Sequence, residues 1–460
     1  MLGVVGILVS LALLMWLAYR GVSVIILAPV LAMLACLFQA DDVPLLATYT
    51  QVFMESMGGF AIKFFPIFLL GAIFGKLMED SGCARSIALA FRDRLGARHG
   101  IAAIVLACGL LEYGGVSAFV VAFAVYPLAA ALFRELDIPK RLVGGTIALG
   151  AFTFSMTALP GTAQIHNLIP MPYFGTDAFA APILGLAAAA GMFGGGVLWL
   201  NRRMRVARCA GEGYGSGHIK EPEAQNGPVP GFWVALLPIA VVIATNYLMT
   251  AHVIPAWDTG YLAKETYGEV SIDDVRGLWA MIAALLAANL AVAAIHYRSL
   301  ARLNRSLTDG AMGSLLPTFN TASEVGYGAT IASLAAFALV KNAVINISPG
   351  NPLISEMVAV NVLAGITGSA SGGLSIALTA LGDSYLEMAR SAGIDPGLMH
   401  RIASMASGGF DTLPHNGAVI TLLTICGLTH RQAYLDIAMV SLVIPFAVTA
   451  LSVLTLSVVI

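Results

Sequence analysis

Long apolar runs, broken at intervals by short polar clusters, dominate the chain. A membrane crossing needs roughly 20 apolar residues. Runs near 2–18, 21–38, 59–78, 99–116, 117–133, 142–166 and 178–200 predict membrane helices. A polar stretch, "RRMRVARCAGEGYGSGHIKEPEAQNGPVPG" (202–231), follows. Further runs lie near 232–254, 277–297, 310–343, 356–372, 373–389, 402–427 and 434–459. The pattern predicts an all-α polytopic membrane protein in three parts: a first transmembrane repeat (1–201), a cytoplasmic linker (202–231) and a second transmembrane repeat (232–460).

The loops carry charge of alternating sign. Arg92, Arg94 and Arg98 form one basic loop, Arg134, Lys140 and Arg141 another. Arg202, Arg203, Arg205 and Arg208 open the linker, and Arg298, Arg302 and Arg305 fill a fourth basic loop. The loop at 39–58 has Asp41, Asp42 and Glu55 without a cation, and the loop at 256–275 is strongly acidic. Positive loops stay on the cytoplasmic side. One arrangement satisfies all six loops, with both termini outside and the linker inside. An odd number of crossings per half then inverts the second half relative to the first.

A short internal echo supports two inverted repeats. "GGVS" (114–117), "DIPKR" (137–141) and "TALPGTAQIHN" (157–167) recur in order as "GGLS" (372–375), "IDPG" (394–397) and "DTLPHNGAVI" (411–420). Each half is thus expected to hold a re-entrant helical hairpin and a broken helix. If the hairpins turn back inside the bilayer, the total is about 12–14 membrane segments.

Composition sharpens the class. The chain of 460 residues is 58% hydrophobic and 11% charged, with a mean hydropathy of +0.85. A soluble domain carries about 25% charged residues, so the chain is a membrane protein. The net charge of -2 says nothing about nucleic acid, no basic tail is seen, and no nucleic-acid partner is expected. Cys36, Cys83, Cys108, Cys209 and Cys426 lack metal-ligand spacing and read as buried thiols, so neither metal nor cofactor is expected. The first run, from Leu2 to Leu17, reads as a retained span rather than a cleaved signal.

Pro-Gly breaks in an apolar run are tolerated where protein or a wet cavity meets the freed backbone groups. Two such breaks in equivalent positions would face one another as walls of one substrate site. The glycine-rich "EYGGVS" (112–117) and "GSASGGLS" (368–375) would be hairpin tips beside them. The candidate substrate-binding residues are therefore Gly114, Gly115, Ser117, Thr162, Gln164, Asn167, Ser371, Gly372, Gly373, Ser375, His415 and Asn416. Glycines at these places also suit close helix packing. Intramembrane charged groups are functional candidates by default. Glu112, Glu324 (in "TFNTASEVGYG", 318–328), Asp411 and His166 are the proton-coupling candidates, with His415 a further one. Asp383 is expected near a membrane edge. No membrane-embedded arginine is evident to clamp an anion, so helix ends are expected to do so.

The stretches 110–127 ("LLEYGGVSAFVVAFAVYP"), 137–170 and 407–430 ("SGGFDTLPHNGAVITLLTICGLTH") resemble the gluconate permease (gluconate:proton symporter, GntP-type) family of the ion transporter superfamily. The resemblance implies a proton symporter, in the bacterial inner membrane, for small hydroxy- or amino-acid anions such as gluconate, D-serine or 3-hydroxybutyrate. It also favours a homodimer. Gluconate-type members tend to carry a Pro-Pro-His-Pro-type first break; "LPGTAQIHN" is more similar to the hydroxybutyrate branch. The residues leave sodium coupling open. An intramembrane hydrolase using Ser371 and His415 lacks the glycine two places before the serine. A channel would repeat around a pore rather than as an inverted pair.

Overall fold

The computed structural model describes residues 2–20, 22–39, 43–95, 99–216, 229–297, 303–348, 350–414 and 416–459. Among these residues the chain is helical without strands. The first half opens with α1 (Leu2–Tyr19) and α2 (Val24–Leu37). Next comes α3 (Leu45–Asp80), which passes through a π-helical stretch at Tyr49–Phe53. Then come α4 (Cys83–Leu95), α5 (Gly100–Tyr113), α6 (Ala118–Glu135) and α7 (Leu142–Ala151). After an irregular segment, α8 (Pro182–Cys209) closes the half. The second half holds α9 (Phe232–Ala256), α10 (Ile272–His296), α11 (Leu303–Ser333) and α12 (Phe337–Ile345). It ends with α13 (Pro352–Thr367), α14 (Ala370–Ser391), α15 (Pro396–Ser407), α16 (Gly417–Cys426) and α17 (His430–Val458).

Five helices, α3, α8, α9, α10 and α17, are long and apolar enough to span a membrane. The single run expected at 310–343 is instead the pair α11 and α12, bent by 98° at a short break. Six further apolar helices have 10–17 residues, too short for a full crossing alone. The uniform series of crossings suggested by hydropathy thus resolves into full spans and half-length helices. Helix α8 continues through Cys209, into the stretch read as linker, and Cys209 is exposed there rather than buried; the other four thiols are buried as expected.

The order of elements repeats. A long helix (α3, α11) carries a proline within it, Pro66 or Pro317, and gives way to a shorter one (α4, α12). A helical hairpin follows, α5 with α6 and α13 with α14, and then a short helix that stops at a break, α7 and α15. The two long helices form the most extensive contact in the molecule. Glycine makes it possible: a Cβ on Gly310 would lie 2.8 Å from Ile73 Cα, and one on Gly326 would lie 2.8 Å from Phe53 O. Backbone therefore packs on backbone at two points of α11, as small residues allow in membranes.

An ion network joins the two halves beyond the hairpins. Asp436 of α17, its side chain 1% exposed, receives Arg141 Nη1 at 3.0 Å and Arg203 Nε at 2.8 Å. Trp199 Nε1 donates to the same carboxylate at 3.0 Å. Arg141 also grips Glu212 through Nε (2.7 Å) and Nη2 (3.0 Å), which holds the Glu212 carboxyl below its ordinary range. Asp137, in the left-handed region at φ 51, accepts Tyr214 N at 2.8 Å, so the chain after α8 is docked onto the α6–α7 loop. Breaking a buried pair leaves an uncompensated charge. Asp436→Asn is expected to cost about 3 kcal/mol in detergent-solubilised unfolding, the low end for such a change because both arginines keep some solvent. Glu212→Ala, on the exposed side, should cost about 1 kcal/mol or less in the same measurement.

Candidate functional site

Both short helices that precede a break end for local reasons. Helix α7 stops at Ala151, and a π-helical turn, Phe154–Ala158, carries the chain to an extended Leu159. Pro160 cannot continue a helix, and Gly161 turns the chain at φ +79. Gln164 then precedes the four-residue helix Ile165–Leu168. Helix α15 stops at Ser407, passes through Gly408 and Gly409 and a single turn at Phe410–Thr412, and reaches Leu413-Pro414. Asn416 then caps α16, its Oδ1 accepting from Val419 N at 2.9 Å.

Each break is tied to the hairpin tip of its own half by a side-chain amide. Gln164 Nε2 donates to Glu112 O at 2.6 Å and to Val116 O at 3.4 Å. Asn416 Nδ2 donates to Gly368 O at 2.8 Å. The two amides stand just before the helix that follows each break, and both meet carbonyls released where a hairpin arm ends. The first tip is further sewn to its break by Tyr113 Oη, which donates to Pro160 O at 2.8 Å, and by Ala163 N to Tyr113 O at 3.3 Å.

The two breaks also reach across the halves. Helix Ile165–Leu168 packs on α14 and α15, while α16 packs on α6 and α7. Each post-break helix therefore touches the second hairpin arm and the interrupted helix of the opposite half. The structure brings Gly114, Gly115, Ser117, Thr162, Gln164, His166 and Asn167 together at the first tip and break. It places Ser371, Gly372, Gly373 and Ser375 at the second tip, with Asn416 tied to it. His415 lies outside the described residues.

The glycines have packing partners. A methyl on Gly372 would overlap the Glu324 carboxylate, and one on Gly373 would overlap the α13 backbone at Ala364. Gly114 faces Ile239 and Gly115, at φ +94, faces Ala163. Close approach of protein to protein thus accounts for these four positions. Thr321 Oγ1 lies 3.3 Å from Ser371 Oγ, so α11 presses a polar face onto the second tip.

Among the described residues, several buried polar atoms at these elements have no hydrogen-bond partner: Oε2 of Glu112, Oε2 of Glu324, Oγ1 of Thr162, Nδ1 of His166, Oγ of Ser375 and Oδ1 of Asp411. Asn167 differs. Its Nδ2 donates to Thr162 O (3.1 Å) and Ala178 O (2.9 Å), and its Oδ1 accepts from Arg401 and His400. It is fully occupied by protein, a positioning hub rather than an open ligand group. Asp383 is exposed.

Four buried residues escaped the sequence reading. Arg401 and His400 are fully buried beside the first break, and Glu356 and Asn361 are buried in α13. Arg401 corrects the expectation that no arginine is embedded. The residue lies one position before the run at 402–427, and Glu356 begins the run at 356–372, so both looked like boundary residues. Asn361 Oδ1, without a partner, lies against Gly409 at the second break.

Paired tips and breaks with unpartnered polar atoms, in a helical frame of full and half spans, are the architecture of a multi-pass membrane permease. Residues 1–316 match the GntP family permease profile, and the chain belongs to that family. It is 44% identical over 464 residues to the uncharacterized transporter YxjC of Bacillus subtilis (strain 168), covering 96% of this chain and 97% of that protein. Its fold is similar to the crystal structure of the YdaH transporter of Alcanivorax borkumensis, described as having an unusual topology. That match has a TM-score of 0.56 and 16% identity over 91% of this chain and 89% of that one.

The hairpin packing is testable. Gly373→Ala should force the α13–α14 arms apart and cost about 1–3 kcal/mol, as overpacking does. Gly194→Ala in α8, where a Cβ meets nothing within 4 Å, should be neutral or stabilising by up to about 1 kcal/mol. Equal melting temperatures for the two variants would contradict the packing role.

Proposed function

We propose that the protein is a secondary active transporter that carries a small hydroxy-monocarboxylate, 3-hydroxybutyrate-like or gluconate-like, together with protons across the bacterial inner membrane. One observation carries the reading. Each hairpin tip has a buried carboxylate against it, Glu112 or Glu324, with an oxygen that no protein donor meets. A carboxylate oxygen that no donor meets has room to take a proton. It suits a group that takes a proton on one side and yields it on the other. Thr162, Gln164, Ser117, Ser371, Ser375, His415 and Asn416 then frame the substrate, and Asp411 and His166 are the other proton-handling groups.

On this reading residues 1–201 and 232–460 are inverted repeats joined by a cytoplasmic linker at 202–231, and the protein works as a homodimer. Neutralising a tip carboxylate would free α11 to slide past the Ser371–Gly372 tip. Proton binding and movement of the hairpin would thereby be linked. Sodium coupling, with a carboxylate or amino-acid substrate, is the second reading. It is favoured by the partnerless Oδ1 atoms of Asn361 and Asp411 around the second break, since bare oxygens suit a hard cation.

The first test is uptake of labelled 3-hydroxybutyrate into proteoliposomes under an inward proton gradient, with gluconate as competitor. Gradient-driven accumulation that gluconate leaves unchanged supports the short-chain reading. Accumulation that needs sodium instead would replace the proton assignment. Glu324→Gln should abolish uphill accumulation while leaving substrate exchange measurable; accumulation at the wild-type level would remove Glu324 from the coupling. Asn416→Ala frees Gly368 O and Val419 N, and uptake should fall by more than about tenfold with the protein still in the membrane.

A further inference from the structure

Arg401 stands in α15, in the second half, and among the described residues its side-chain hydrogen bonds all go to the first break or the segment after it. Nη1 donates to Asn167 Oδ1 at 2.9 Å and to Thr157 O at 3.5 Å. Nη2 donates to Ala180 O at 2.8 Å and Ala178 O at 3.4 Å, and Nε to Ala180 O at 3.1 Å. All of these acceptors are neutral. Among the described residues no carboxylate lies within ion-pair distance of this guanidinium. Asp177 attracts it only at longer range, and its Oδ1 already accepts Phe179 N at 2.8 Å. An arginine cannot shed its charge as a lysine can. The first break therefore has a fixed cation beside it, fully buried and without a paired anion.

The same hydrogen-bond chain leads to an open polar atom. Arg401 holds Asn167 Oδ1, Asn167 Nδ2 holds Thr162 O at 3.1 Å, and Thr162 Oγ1 is fully buried with no partner. His400 steadies the chain from the side, between Thr176 Oγ1 (2.6 Å) and Asn167 Oδ1 (3.3 Å). Because Asn167 Oδ1 can only accept, Nε2 of His400 carries the proton, and Nδ1 takes one from Thr176.

We propose that Arg401 is a positioning residue that sets a standing positive potential at the first break and so selects an anionic substrate over its neutral analogue. The inference rests on the carboxylate reading above. Substrate does not touch the guanidinium, whose donors are spent on protein. The cation acts through the low-dielectric interior, where a unit charge several ångströms away still changes binding on the order of tenfold. The carboxylate, on entering, supplies the negative charge that the protein leaves out.

The test compares wild type, Arg401→Lys, Arg401→Gln and Asn167→Asp, each full length in proteoliposomes. Uptake is measured for 3-hydroxybutyrate and for its neutral amide. Arg401→Gln should raise the KM for the acid on the order of tenfold and leave that for the amide nearly unchanged. Arg401→Lys, which keeps the charge and loses the fork, should restore the KM for the acid even if turnover stays low. Asn167→Asp places a carboxylate against the guanidinium and should raise the KM for the acid with Arg401 still present. Wild-type KM for the acid in both Arg401→Gln and Asn167→Asp, or equal changes for acid and amide, would overturn the inference. Loss of folded protein in both variants would also overturn it, by assigning Arg401 to holding the fold. Failure of the wild type to take up either 3-hydroxybutyrate or gluconate would sink the carboxylate reading itself. Wild-type uptake with Arg401→Gln unchanged would sink only the role of Arg401.

Discussion

A backbone group freed inside a membrane must be met by protein, because hydrocarbon offers it nothing and each unmet group costs several kcal/mol. That constraint organises this molecule. Two hairpin arms end and two helices break within the bundle, and each event releases carbonyls and N–H groups. Gln164 and Asn416 answer part of the demand in the same way, by sending a side-chain amide to the carbonyl end of a hairpin arm. A side chain placed at the break is thereby committed to the tip. In each half the hairpin and the break are joined in this way.

The rest of the architecture follows from packing those pieces closely. The glycines at the second tip let α14 lie against α13 at Gly373 and let Glu324 of α11 reach Gly372. One contact is backbone on backbone and belongs within the hairpin. The other is a carboxylate resting on a bare Cα, with Thr321 and Ser371 beside it. Away from the site, Asp436 gathers Arg141, Arg203 and Trp199 into a knot that belongs to both halves. Ionic fastening is thus used where solvent is near, and hydrogen bonding and small residues where it is not.

Much of this was legible in the residues alone. Apolar runs with Pro-Gly and Gly-Gly interruptions marked the breaks and tips, since only a few residue types permit a turn in a hydrophobic span. Their recurrence in order marked the paired elements. The sequence could not show which function a polar residue at a break would serve. Asn167 and Gln164 look alike in the chain, yet one is a closed hub and the other a tie to the hairpin. Hydropathy also hid charges at the edges of runs. Arg401 and Glu356 sit at predicted ends, where a charge is unremarkable, and only packing from other helices encloses them. The bend between α11 and α12 was hidden too, because an apolar run keeps its hydropathy through a sharp turn.

The distribution of charge across the two breaks carries the last step. The carboxylates Glu112, Glu324, Glu356 and Asp411 are enclosed with oxygens unmet, and each can become neutral by taking a proton. Arg401 has no such escape at any ordinary pH. The first break therefore keeps a buried positive charge whatever the state of those acids. On the carboxylate reading, a bound monocarboxylate supplies the balancing charge there. On the symport reading, the anion answers to a buried charge that cannot be titrated, and the proton to carboxylates that can.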